Sequence, residues 1–486
     1  MIKIFYLYRN HVKECRKNFE FVKKRMFDAL FADNIILMSD SYKASHWRQY
    51  PANTEYIYSY FESRGGLFDS TVFFGLQYIV NRYLAGKVVT SEKIAQAAEF
   101  YATHLGSSDY FNRAGWEYIL EKHGGYLPVS IKGVPEGSVV STHNVLLTVV
   151  NTDPACYWLP NFLETLLVQV WYPCTVATSS REQKKLIKFW LEQTGGGDLD
   201  FKLHDFGFRG VSSLETSAIG GLAHLINFKG TDTVSACLLG SQFYDEPMAG
   251  FSIPASEHST ITSWGQEGEI DAYRNMLHQY PNGTIACVSD SWNIFGACRS
   301  WSTELKSLVL ARDGRLVIRP DSGDPVEVIL KVLDILGAGF DSITTTSTGH
   351  KLLPSQVRVI QGDAVDLAAI GRIYSAMASA GWAADNVGFG SGGALLQKLN
   401  RDTQKFAFKC SAAVIDGVER DVWKNPVTDP GKRSKKGGLA LVRDALGNWA
   451  TVPQSEAVDD QLVEMFRDGN VLIEYKFGDI RKRAEI

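Results

Sequence analysis

"GRLVIRPDSGDP", residues 314–325, is the stretch on which the fold turns. Leu316, Val317 and Ile318 make a short apolar run that stops at Arg319; Pro320, Gly323 and Pro325 then break the extended backbone. That is the pattern of a buried strand handing over to a polar turn. Outward from it the same grammar recurs in "FKLHDFGFRG" (201–210), "GTIACVSDSWN" (283–293), "VRVIQGDAVD" (357–366) and "DNVGFGSGGALLQKL" (385–399). Each apolar run ends in Asp, Arg, Gly or Ser, and helix-capable segments lie between the runs. One such unit alone is a strand and a turn. Five in succession predict a parallel sheet or barrel whose functional groups collect at the C-terminal strand ends. A full set of eight units is not evident, so the expected fold class is α/β, an irregular, incomplete TIM-like βα barrel.

The flanks read differently. "YLPVSIKGVPEGSVVSTHNVLLTVVN" (126–151) alternates β-branched residues with turn signals, the pattern of antiparallel strands. Residues 157–197 read as helical, interrupted at Pro173 and ended by three glycines. "SAAVIDGVERDVWKNPVTDPGKRSKKGGLALVRDALGNWATV" (411–452) returns to strands around a basic loop. The expected division is therefore an N-terminal extension over 1–33, a second α+β domain split between 34–195 and 401–486, and the βα barrel over 196–400. The extension is basic, with Phe19, Val22, Met26, Phe27, Leu30 and Phe31 near helical spacing, and is expected to be a helix without catalytic role. It lacks the uninterrupted apolar core of a signal peptide.

Composition narrows the function classes. The 486 residues are 45% hydrophobic and 21% charged, as in ordinary globular proteins, and exceed what one core usually holds. A net charge of −4 provides no global basic field for nucleic acid. No stretch approaches the roughly 20 apolar residues of a membrane span. Seven cysteines are scattered without a C-x-x-C pair, which argues for a reducing compartment and against a disulfide framework or a structural zinc site. A cytoplasmic protein is expected.

Several residues have the chemistry of a ligand site. Arg319 and Asp321, two apart at a strand end, can share a phosphate or pyrophosphate and the sugar that carries it. Gly362 and Asp363 end the next strand and offer a hydroxyl acceptor. In "FGSGG" (389–393), Gly392 and Gly393 let backbone N–H groups approach a phosphate. Phe206 can stack on a flat ring while Arg209 reaches an anionic group. The run "KNPVTDPGKRSKKGG" (424–438) reads as a solvated basic loop or as a phosphate contact. His258, in "PASEHSTIT" (254–262), is in isolation an ordinary histidine.

Taken in order, "SDSYKASHWRQYPANTEYIYSYFESRGG" (39–66), "KLHDFGFRGVSS", "NFKGTDTV", "PASEHSTIT", "RPDSG", "VIQGD", "FGSGG" and "KRSKKG" resemble the nicotinamide phosphoribosyltransferases, a branch of the type II phosphoribosyltransferases. The likeness covers nearly all of the chain beyond about residue 34. It implies transfer of a phosphoribosyl group from phosphoribosyl pyrophosphate to nicotinamide, by a homodimer with active sites at the subunit interface. Phe206 and Tyr42 of the partner subunit would sandwich the pyridine ring, with Arg209 beside it, Asp232 facing the carboxamide, and Ser252 and Ser289 in the substrate pocket. Arg319, Asp321, Gly362 and Asp363 would hold ribose and pyrophosphate; Gly392, Gly393 and Arg401 would hold the 5′-phosphate. Asp40, Arg64, Lys409, Lys424 and Lys432 would be outer contacts. The resemblance implies Mg²⁺ arriving with pyrophosphate near Asp321, without a dedicated protein metal site. It further implies ATP as a coupling substrate that phosphorylates His258.

Two positions depart from the expected pattern: Asn293 stands where an acid should orient His258, and Ala407 where a hydroxyl should meet phosphate. The nearest rival reading is a nicotinate phosphoribosyltransferase. One from a different class is a catalytically silent nucleotide-binding dimer.

Overall fold

The computed structural model describes residues 34–429 and 432–486, so the expected N-terminal helix lies outside the described residues. The large antiparallel sheet begins with three strands, β1 (Thr54–Ser63), β2 (Val129–Gly133) and β3 (Val145–Asn151). A long helix, α1 (Trp171–Gln193), follows. Pro173 does not interrupt it. The break comes earlier, in the 3₁₀ turn Val168–Val170, and Pro173 sits in the first turn of α1, where a missing N–H leaves no intrahelical bond unmade.

Six short parallel strands come next: β4 (Leu203–Asp205), β5 (Gly230–Thr231), β6 (Ile285–Val288), β7 (Leu316–Arg319), β8 (Val357–Gln361) and β9 (Val387–Ser391). Five are the runs read from the sequence. The sixth, β5, is two residues long, too short for any periodicity to mark it. The sheet order is β5-β4-β9-β8-β7-β6. Residues 251–256 hydrogen-bond to both edge strands: Thr231 N donates to Phe251 O at 2.9 Å, and Ser256 N donates to Ala286 O at 3.0 Å. The sheet is therefore curled rather than flat.

Between these strands run α2 (Leu214–Leu225), α3 (Val234–Phe243), α4 (His258–Thr262), α5 (Ile294–Ser302), α6 (Pro325–Phe340) and α7 (Leu367–Ser379). Their starts are chemically specified. Asp324 caps α6, accepting from Val326 N and Glu327 N at 3.0 Å each, with Pro325 as its first residue. Asp366 caps α7 through Ala369 N at 2.8 Å. Some of the acids after the apolar runs are thus helix caps rather than ligands.

The C-terminal part returns to the first sheet with β10 (Phe406–Ile415), β11 (Val418–Asp421), β12 (Val463–Arg467) and β13 (Asn470–Val471). The order is β11-β10-β1-β3-β2-β12-β13, and each neighbouring pair is antiparallel. One apolar core joins this sheet to α1, α2 and α3; a second fills the parallel sheet and its α5, α6 and α7 faces. The parallel register aligns Asp205 with Ser391, Gln361 with Phe389, and Val288 with Arg319. Every turn that follows a strand therefore opens on one edge.

Candidate active site

Phe206 follows β4 directly, its N–H donating to Ser391 O at 2.9 Å. Its ring lies against the glycines of the neighbouring strands. A Cβ on Gly390 would stand 1.9 Å from Phe206 Cε2, so only glycine fits there. A Cβ on Gly362 would be 3.6 Å from Phe206 Cε2, 3.2 Å from Asp321 Oδ1 and 3.6 Å from Arg319 Cδ. Those distances bring Phe206, Arg319, Asp321 and Gly362 together, as the sequence predicts. Arg319 Nη2 lies 3.5 Å from Asp321 Oδ2. Asp363 is exposed at the same strand end.

The next turn carries Asp232, whose N–H donates to Asp205 O at 3.0 Å. Ser252 donates its hydroxyl to Asp232 Oδ1 in a short hydrogen bond, which fixes the carboxylate from one side. His204 lies two residues before Phe206 with its ring centroid 5.9 Å from the phenyl ring. Burial lowers the pKa of His204, against the pull of Asp232, and favours the neutral imidazole.

His258 begins α4. Its Nε2 is 2.9 Å from Asp290 Oδ1, and Ser322 donates to Asp290 Oδ2 at 2.6 Å. The Asp290 side chain is only 5% exposed, so the dyad is held from below, and Ser322 ties it to the turn bearing Asp321. This corrects the expectation about Asn293. That amide is the cap of α5, accepting from Phe295 N and Gly296 N at 3.1 Å each, while Asp290 orients the histidine. Ser289 also differs from expectation. It is fully buried, donates to Cys287 O at 3.1 Å and accepts from Trp301 Nε1 at 3.1 Å, so its hydroxyl is spent inside the core.

Gly392 and Gly393 open the short turn Gly393–Leu396 beside the Arg209 turn; a Cβ on Gly210 would be 3.8 Å from Gly393 N, and one on Gly393 would meet nothing within 4 Å. Arg209 is exposed next to them. Beyond this turn a cavity of about 500 Å³ gathers Arg64, Arg401, Lys405, Lys409, Lys424 and Lys432, with Ala407 in its wall. All five of the predicted cations of this group are there; Lys405 is an addition. Burial, and after it the neighbouring Arg64, Lys424 and Arg401, lowers the pKa of Lys409. Two other lysines of the basic run are paired elsewhere: Lys435 with Glu62, and Lys436 with Asp421 at 2.8 Å.

Tyr42 and Asp40 do not join the site within one subunit. Tyr42 is 58% exposed with its ring beside His46, and Asp40 accepts from Thr165 Oγ1 at 2.8 Å. Among the described residues the metal-ligand grouping is His123, Asp153 and Cys156. His123 Nε2 is already 2.8 Å from Asp153 Oδ2, and burial pushes the Cys156 thiol up to about 12, so it reads as a hydrogen-bonded His–Asp pair over a protonated thiol.

Fold and site together define an α/β scaffold with a phenyl ring, an Arg–Asp pair and a carboxylate at one strand edge and a cluster of cations beside them. Its backbone is similar to the nicotinate-nucleotide pyrophosphorylase of Pyrococcus furiosus, with a TM-score of 0.61 at 14% identity, over 94% of this chain and 96% of that one. Residues 201–470 match the nicotinate phosphoribosyltransferase (NAPRTase) family, and residues 34–131 match the nicotinamide phosphoribosyltransferase N-terminal domain. The chain belongs to this family. A nicotinamide phosphoribosyltransferase of Xanthomonas campestris pv. campestris (strain 8004) is 49% identical over 468 residues, covering 94% of this chain and 99% of the relative. One of Acinetobacter baylyi (strain ATCC 33305 / BD413 / ADP1) is 33% identical over 492 residues, covering 93% and 97%.

Proposed function

We propose that the chain is a nicotinamide phosphoribosyltransferase of NAD salvage. It condenses nicotinamide with phosphoribosyl pyrophosphate to nicotinamide mononucleotide and pyrophosphate. The observation that carries the choice of substrate is Asp232, held at Oδ1 by Ser252 on the turn beside Phe206. Oδ2 is left to accept from the carboxamide NH₂ of nicotinamide. Nicotinate has no such donor and brings a second negative charge. At about 4 Å two unit charges repel by about 1 kcal/mol where water reaches them and about 4 kcal/mol at an effective dielectric near 20.

Phe206 stacks on the ring and holds its nitrogen in line with the anomeric carbon. Arg319 grips pyrophosphate while Asp321, Gly362 and Asp363 take ribose hydroxyls. The Gly392 and Gly393 turn with Arg401 receives the 5′-phosphate, and Arg64, Lys409, Lys424 and Lys432 extend the cationic wall. As the C–O bond to pyrophosphate breaks, these cations stabilise the departing charge. The carboxylate of Asp321 at the end of β7 and that of Asp363 at the end of β8 suit Mg²⁺, which takes one or two carboxylates plus substrate phosphates. Asp321 and Asp363 would hold such an ion beside pyrophosphate, where it would supply neutralisation of leaving-group charge. With Nε2 engaged by Asp290, His258 presents Nδ1 as the phosphoryl acceptor from ATP, beside the Asp321 turn.

Tyr42 and Asp40, exposed and apart from Phe206, fit a homodimer in which each subunit completes the other's site. We read the curled parallel sheet as an irregular barrel short of eight βα units, over residues 196–400, with 34–195 and 401–486 forming the second domain. The six free cysteines among the described residues suit a reducing cytoplasm. The test is direct: the purified protein should form nicotinamide mononucleotide from nicotinamide and phosphoribosyl pyrophosphate. Its kcat/KM for nicotinamide should exceed that for nicotinate by at least about a hundredfold. A ratio near one or below supports the nicotinate reading, and no product from either supports a silent dimer.

A further inference from the structure

Asp205 is fully buried at the end of β4, between the two turns that bear Phe206 and Asp232. Its Oδ1 accepts from Gly207 N at 2.7 Å, closing the turn on which Phe206 stands. On the other side Thr231 Oγ1 lies 3.4 Å from Oδ2 and accepts from Thr233 N at 2.9 Å, bracing the turn on which Asp232 stands. The backbone carbonyl of Asp205 takes the N–H of Asp232 itself. Two glycines approach the carboxylate closely: a Cβ on Gly221 of α2 would be 3.0 Å from Oδ2, and one on Gly207 would be 3.0 Å from Oδ1.

We propose that Asp205 is a positioning residue for the pyridine pocket, a single buried carboxylate that sets the separation between the stacking ring and the amide-reading acid. This rests on the assignment of Phe206 and Asp232 as nicotinamide contacts. Burial pushes its carboxyl up to about 6, so at neutral pH the fold keeps a charge in a place that disfavours it. Both side-chain oxygens face the substrate turns, which is where the return on that charge lies.

The test separates the two substrates. Asp205→Ala removes both ties and is expected to raise the KM for nicotinamide at least about tenfold while the KM for phosphoribosyl pyrophosphate stays within about twofold. Asp205→Asn keeps an acceptor for Gly207 N and should recover the nicotinamide KM to within about threefold of the unaltered protein. Equal rises in both KM values, an Asn variant as impaired as Ala, or no change in Ala would each overturn the proposal. If Asp205→Ala does not fold, Thr231→Val reads the same tie from the other side. It should raise the nicotinamide KM about threefold with the donor KM unmoved, and an unmoved nicotinamide KM overturns the proposal equally. Phe206→Ala distinguishes the levels. If it leaves the nicotinamide KM unchanged, the pocket assignment fails. If it raises that KM and Asp205→Ala does not, only the positioning role fails.

Discussion

Gly390→Ala probes the placement of the stacking ring with one methyl group. The added Cβ would lie 1.9 Å from Phe206 Cε2, 2.2 Å from Cδ2 and 2.7 Å from Cζ. Carbon atoms settle at about 3.5–4.0 Å, so the ring must retreat by about 1.5–2 Å or swing off its seat. Retreat is limited on the Gly362 side, where Arg319 and Asp321 already crowd the strand end. The ring is therefore driven into the space in which nicotinamide would stack. Losing an offset stack removes about 0.5–1.5 kcal/mol, and overpacking adds strain of about 1–3 kcal/mol that part of the binding energy must offset. A loss of about 1.4 kcal/mol is tenfold in affinity, so the nicotinamide KM should rise about tenfold or more. The donor KM, set by Arg319, Arg401 and the glycine turn, should stay within about twofold. Gly388→Ala, two residues earlier on the same strand, is the control: its Cβ would be 3.8 Å from Lys202 O, an ordinary contact. Steady-state kinetics for both substrates, with thermal melts to show folding, make the measurement. A folded Gly390→Ala protein with an unchanged nicotinamide KM would refute the seating of Phe206 as the stacking group.

Asp232→Asn should lower the preference for nicotinamide over nicotinate by at least about tenfold, roughly 1.4 kcal/mol, read as the ratio of kcat/KM values; an unchanged ratio returns Asp232 to a structural role. His258→Ala should abolish ³²P labelling by ATP and any ATP stimulation while slow transfer continues, and Asp290→Ala should weaken both; labelling that survives His258→Ala removes the histidine from the coupling. Mixed Tyr42→Ala and Asp321→Ala subunits, each inactive alone, should regain partial activity through hybrid dimers, and no recovery despite proven subunit exchange counts against a shared site. Asp205→Asn should stabilise the protein at pH 8 more than at pH 5. The Asp205 carboxyl is raised from 3.8 to about 6, so the folded state binds the proton more tightly than the unfolded chain, and wild-type stability falls as pH rises through that interval. Asn never ionises, so its advantage is at most about 3 kcal/mol above the interval and fades below it; melts showing the same difference at both pH values refute the linkage.

Much of the parallel sheet was legible because five of its six strands lie in short apolar runs with a hard polar stop. Residues after those stops fell on one edge as expected, since parallel strands in register must open their turns together. Legibility failed where identity does not encode direction. Asn293, Asp324 and Asp366 stand after strands just as Asp290 and Asp321 do, yet they turn back to cap helices. Whether such a residue caps or faces a ligand depends on the length of its turn by a residue or two. Ser289 was misplaced for a related reason: its side chain follows the strand alternation inward to Trp301. Asp205 was overlooked because a buried acid beside a phenylalanine carries no local signal; its partners, Gly207 and Thr231, arrive from two different turns. The basic loop was half readable. Lys424 and Lys432 reach the cavity, but nothing in a run of like charges tells which members pair with Glu62 and Asp421.

Some of the buried polar atoms left without a partner among the described residues lie at the site, while others, such as Trp158 Nε1 and Trp190 Nε1, lie away from it. Arg64 Nη2, His204 Nε2, Thr233 Oγ1, Arg319 Nε and Gln361 Oε1 all belong to it or to its supporting turns. A buried donor or acceptor left unpaired costs about 1–3 kcal/mol, and folds rarely tolerate several close together. Arg64 shows how they are kept in place. Glu62, itself 3% exposed, accepts from Arg64 Nε at 2.7 Å and pairs with Lys435 as well, so one edge of the guanidinium is anchored while Nη2 remains free to donate. At β7 Asp321 lies 3.5 Å from Arg319 Nη2 and leaves Nε open. In both places a carboxylate holds an arginine still without neutralising its whole donor face. On the proposed function, Arg64 and Arg319 would then be aimed before an anion arrives, leaving little reorganisation as charge develops on it. Burial, and after it Arg64, Lys424 and Arg401, disfavours the charge on Lys409 in this cavity. Acids stand on both sides of these cations: Glu62 lies behind Arg64 and Lys435, while Asp402 and Asp429 share the cavity wall, Asp429 lying 3.2 Å from Lys432.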